Sequence, residues 1–79
     1  MIYAYILVQT EVGMAAIVAQ QLLRIPGVIS AEVIAGPYDV MARAEAADLD
    51  GLGRLVVAKI QGVERVTRTL TCTVVVLEL

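Results

Sequence analysis

Groups that attack, shuttle protons or hold metals are scarce in this 79-residue chain. It has no histidine, one cysteine (Cys72) and one serine (Ser30), so no Ser-His-Asp or Cys-His constellation can form. No Cys/His cluster has convincing metal-ligand spacing either, and neither a metal nor a cofactor is expected. Acid–base work by Asp39, Glu45 or a tyrosine stays open in principle, but needs a pocket that tunes a carboxylate, which the sequence does not display. Cys72 lies between Thr71 and Thr73 in a strand-like run and reads as a small packed side chain. Gly51 and Gly53 do not follow a strand, so they make no phosphate-binding turn. The remaining polar feature is a run of threonines at 67, 69, 71 and 73, alternating along one side of the last strand. Their hydroxyls offer a rail that donates and accepts hydrogen bonds, although threonine also simply favours strands.

The elements that position these residues follow from hydrophobic periodicity. Ile2 to Val8 is apolar on both faces, as suits a covered strand. From Met14 to Arg24 the period becomes helical, with Met14, Ile17, Val18 and Leu22 on one stripe; Thr10 is a candidate cap, and Gly13 weakens the first turn. Pro26-Gly27 ends this helix. Val28–Ala35 and Tyr38–Ala46 read as strands joined by Gly36-Pro37, a spacing that favours an antiparallel hairpin. Asp48 caps a second helix whose stripe is Leu49, Leu52, Val56 and Ile60, with Asp50 and Lys59 placed to suit the helix dipole. Gly62 closes it, and Val63 to Leu79 is a long strand or a strand with a bulge. Ile25-Pro26-Gly27-Val28 is echoed by Ile60-Gln61-Gly62-Val63. Each copy joins a helix to a strand, so the order is βαββαβ: an α/β, ferredoxin-like sandwich with a four-stranded antiparallel sheet.

Residues 1–79 form one domain, without an obvious linker. Some 59% of the residues are hydrophobic, more than so small a domain can hide. Two helices cover one side of the sheet, and the first and last strands look apolar on both faces. The open side is therefore expected to meet a partner sheet in a two-fold homodimer. The net charge of −2, with arginines scattered at 24, 43, 54, 65 and 68, disfavours nucleic-acid binding by this chain. Met1 to Val8 lacks a basic leader, and no stretch is suited to spanning a membrane, so the expected compartment is the cytoplasm.

In order and spacing, Ile25-Pro26-Gly27-Val28, Gly36-Pro37-Tyr38-Asp39, Asp48-Leu49 and the segment Gly62 to Thr71 resemble the effector-binding domain of Lrp/AsnC transcription regulators, across nearly the whole chain. Full-length members carry an N-terminal helix-turn-helix domain, whereas this chain starts at the first strand, as a stand-alone member or an excised piece would. The resemblance implies sheet-paired dimers that associate into larger rings, with small molecules, commonly amino acids, bound near interfaces between pairs. It places Gly36, Tyr38 and Asp39 at the turn lining that site: glycine for close approach, tyrosine as ring and hydroxyl, aspartate to accept from a ligand ammonium group. Thr69 and Thr71 of a neighbouring subunit complete the expected set, while Met41 and Arg43 are left outside it. Gly and Asp are also ordinary turn residues, and Tyr38 also suits packing against the sheet. The expected function is a non-catalytic, small-molecule-responsive oligomerisation domain, acting in transcription indirectly, with a full-length relative as a candidate partner. A small dimeric enzyme and a purely structural assembly domain are the alternatives.

Overall fold

A computed structural model describes residues 1–77. Strand β1 (Ile2–Thr10) leads to helix α1 (Ala15–Leu23), then β2 (Val28–Val33) and β3 (Val40–Ala46). Helix α2 (Leu49–Arg54) runs directly into a π-helical segment (Leu55–Ile60), and β4 (Val66–Thr73) closes the sheet. The strand order is β2-β3-β1-β4, antiparallel throughout. This is the expected ferredoxin-like sandwich.

Alternation along the central strands builds the core. Ala4, Ile6 and Val8 of β1 and Val40, Ala42 and Ala44 of β3 are fully buried beneath the helices. They meet Val18 and Leu22 from α1 and Leu52, Val56 and Ile60 from the second helical arm. Two residues expected on the apolar stripes do not join this core: Ile17 and Leu49 are more than half exposed. Only a narrow line of each short helix touches a sheet whose core side chains are mostly small alanines and valines.

The repeated tetrapeptide forms the same turn twice. The Val28 N–H donates to the Ile25 carbonyl at 3.0 Å, and the Val63 N–H donates to the Ile60 carbonyl at 3.2 Å. The first copy has Gly27 at φ +102°, with its Cα face against Leu55 and the Glu45 carbonyl. After the second copy the chain makes a further turn, with Arg65 at φ 77°, so β4 starts at Val66 instead of Val63. Arg68 opposes Gln9 but Val66 opposes Thr10, leaving Thr67 as the extra residue of a bulge, one of the two forms the sequence left open.

Three local expectations need correction, the first being Cys72, which is exposed in the single chain and not a packed side chain. Thr10 does not cap α1; it ends β1, and the residue preceding the helix is Met14, with no side-chain cap. The β4 residues facing the helices are Thr69, Thr71 and Thr73, so that strand is not apolar on both faces. Its apolar run, Val74 to Leu77, lies past the strand, while the last two residues fall outside the described part. Asp48 does cap α2, its Oδ1 accepting the Gly51 N–H at 2.7 Å.

Candidate functional site

The hairpin loop between β2 and β3 is closed by the Ile34 N–H donating to the Asp39 carbonyl at 2.9 Å. The Asp39 N–H in turn donates to the Val8 carbonyl at 2.9 Å, which ties the loop to β1. Its carboxylate is already at work within the chain: Oδ2 accepts the Thr10 N–H at 2.8 Å and lies 3.4 Å from the Thr10 hydroxyl. Thus Asp39 holds the end of β1 through one oxygen, while Oδ1 makes no hydrogen bond among the described residues. Tyr38 beside it is half-buried. Gly36 is exposed, outside the positive-φ region, and a Cβ there would meet nothing within 4 Å. The fold of the single chain therefore has no need for glycine at this position.

Thr69 and Thr71 lie on the other side of β1. Thr69 Oγ1 accepts from Gln61 Nε2 at 3.0 Å, beside a hollow of about 340 Å³ shared with Thr67 and Arg68. Thr71 and Thr73 instead edge a separate groove of about 270 Å³ beneath Leu49, Leu52 and Val57. Val8 pairs with Val40 on one side and Thr69 on the other, so the loop group and the threonines are two strand spacings apart, about 10 Å. One chain gathers Gly36, Tyr38 and Asp39 at one end of the sheet, but does not bring Thr69 and Thr71 into the same pocket. Thr10, the partner of Asp39, went unrecognised in the sequence because the contact joins residues 29 positions apart.

The helix-free face of the sheet carries Tyr3, Tyr5 and Leu7 from β1, Met41, Arg43 and Glu45 from β3, and Leu70 and Cys72 from β4. Tyr5 is 37% and Leu70 46% exposed in the single chain. The Arg43 guanidinium lies 5.0 Å from the Tyr3 ring centroid and 5.6 Å from that of Tyr5, and Nη1 donates to the Tyr5 hydroxyl at 3.4 Å. Arg43 Nε is buried with no acceptor. Among the described residues no three His, Cys, Asp or Glu side chains group as metal ligands, and no helix is long and apolar enough to cross a membrane.

This architecture has the form of a small ligand-binding and assembly domain. Residues 3–77 match the Lrp/AsnC ligand binding domain, and the chain belongs to that family. Membership makes it a non-catalytic, small-molecule-responsive oligomerisation domain. Among solved structures it is similar to FFRP-DM1, with 31% identity and a TM-score of 0.89 over 95% of this chain and 100% of that one. It is also similar to hypothetical protein PHS023 from Pyrococcus horikoshii, at 30% identity and TM-score 0.88, covering 96% and 92% of the two chains. The transcriptional regulator NMB0573 of Neisseria meningitidis, solved as an L-Met complex, shares the fold at 20% identity and TM-score 0.82, over 94% of this chain and 49% of its own. No curated protein matches the chain.

Proposed function

We propose that the chain assembles with copies of itself through the open sheet face, and that the assembly binds an amino acid or a related metabolite at the 34–39 loop. The observation that carries the assembly is the open face itself: Tyr5 and Leu70 partly exposed, with the buried Nε of Arg43 lacking an acceptor in their midst. A second sheet laid on this face covers the apolar side chains.

For the ligand, the free Oδ1 of Asp39 suits an ammonium group, Tyr38 offers a ring and hydroxyl, and the open space at Gly36 leaves room for a close neighbour. Thr69 and Thr71 complete the site from a neighbouring subunit. Their separation from Asp39 within one chain is what a site shared between subunits requires. The L-Met complex of the distantly similar NMB0573 adds weight to an amino-acid effector. Preferential binding to one association state shifts the population toward it. Any role in transcription is then indirect, in the cytoplasm, by self-assembly or by association with a full-length Lrp/AsnC-type regulator.

A calorimetric screen of amino acids against the assembled protein tests the ligand. The expected result is at least one hit whose affinity falls about tenfold or more in Asp39→Asn, the loss of a charged contact. Unchanged affinity for every hit rejects the Asp39 contact. A screen without hits favours a purely structural assembly domain.

A further inference from the structure

A groove of about 730 Å³ runs between the C-terminal end of α1 and the α2–π arm, and shares no residue with the candidate effector site. Its apolar surface comes from Ile25, Leu55 and Val63, and its charge from Arg24, Arg54 and Lys59. Half of the chain's six basic residues line this one groove, and no acidic residue among the described ones does. Such a concentration of cations is unexpected in a chain of net charge −2.

Two of the three cations have a local explanation. Arg24 caps the end of α1 and Lys59 lies in the last turn of the π segment, where the helix dipole favours positive charge. Arg54 does not, because the helical chain continues through it into Leu55–Ile60. Asp50 stands four residues earlier, in the order and spacing that favour an ion pair along a helix. That pair is not made: among the described residues the ion pair is Arg65 with Glu11, at 3.3 Å. Arg54 instead lines the groove. Leu55 beside it is buried against Gly27, where a Cβ would come within 3.0 Å of Leu55 Cδ2, so the floor is held firmly.

We propose that this groove binds a small amphiphilic carboxylate, its anionic head against Arg54 and its aliphatic chain along Ile25, Leu55 and Val63. The volume lies in the usual range for small-molecule sites. Arg24 and Lys59 offset the partial negative charge of the two helix ends, which leaves the Arg54 guanidinium as the charge that holds the head. No carboxylate among the described residues lines the groove, so the ammonium group of an amino-acid zwitterion meets cations and finds no counter-charge here. This ligand class is therefore distinct from the one proposed at Asp39, and the two sites succeed or fail separately.

Decanoate, below its micelle concentration, is the probe, with decanol as the uncharged control. Calorimetry is expected to show decanoate binding, decanol weaker by about tenfold or more, and a similar loss for decanoate in Arg54→Gln. Arg54→Lys, which keeps the charge, is expected to retain most of the affinity. Methyl chemical-shift changes should fall on Ile25, Leu55 and Val63. Absence of decanoate binding, equal binding of decanol, indifference to Arg54→Gln, or shifts confined to Leu7 and Leu70 on the open sheet face would each overturn the proposal.

Discussion

Asp39 shows how one side chain can have two tasks. Its Oδ2 accepts the Thr10 N–H at 2.8 Å, and its Oδ1 remains available. Asp39→Ala is expected to destabilise the fold by about 1–2 kcal/mol, since it strands that backbone donor. Asp39→Asn keeps an oxygen for Thr10 and should lose less than half as much, as read from denaturant midpoints at constant slope. Equal losses in the two variants would show that charge, not the hydrogen bond, matters at Thr10. The same pair separates stability from ligand affinity, because only the charge is needed to attract an ammonium group. In the sequence, Gly36-Pro37-Tyr38-Asp39 was legible as a turn with binding chemistry. The Thr10 contact was not, because Thr10 also has the residue type of a helix cap, and only the pairing of β1 with β3 decides between these roles.

At the scale of elements, glycines separate strain from freedom. Gly27 has φ +102°, and a Cβ there would lie 3.0 Å from Leu55 Cδ2 and 3.2 Å from the Glu45 carbonyl oxygen. Gly27→Ala is expected to cost about 2 kcal/mol or more. Gly53, in α2, meets nothing within 4 Å, and Gly53→Ala should stabilise by about 0.5–1 kcal/mol through reduced unfolded-state freedom. Thermal and denaturant unfolding of both variants check this contrast, and a shift in the same direction for both would contradict the account. Element order, the hairpin and the Asp48 cap were legible from periodicity and punctuation, whereas a bulge was one of two forms left open for the last strand. The π segment was not: Leu52, Val56 and Ile60 bury at a spacing that an α-helix also satisfies. The early end of β4 was hidden for a different reason. Val74 to Leu77 has the composition of a strand, but lies beyond Thr73, the last β4 residue with a partner in β1.

For the whole molecule, the surplus of hydrophobic residues pointed to a face in need of cover, and the proposed interface is the helix-free side of the sheet, where Tyr5 and Leu70 are partly exposed. Leu70 is central to the prediction because it pairs with Leu7 on that face. Leu70→Glu removes an apolar side chain worth ~1.5 kcal/mol or more from each of two copies. Association should weaken about a hundredfold. Sedimentation velocity reads that change directly, and an unaltered distribution would place the interface elsewhere. The family resemblance leads to the expectation that a neighbour supplies Thr69 and Thr71; what the sequence did not show is the distance, with β1 lying between the threonines and the 34–39 loop in each chain.

The most direct test of a ligand-responsive assembly is its mass in solution, measured by light scattering across a range of protein concentrations, with and without the amino acid identified by calorimetry. The account predicts a dimer or larger species at micromolar concentration, and a population that shifts between association states when the effector is added. A stable monomer at micromolar concentration, unchanged by the effector, would contradict it.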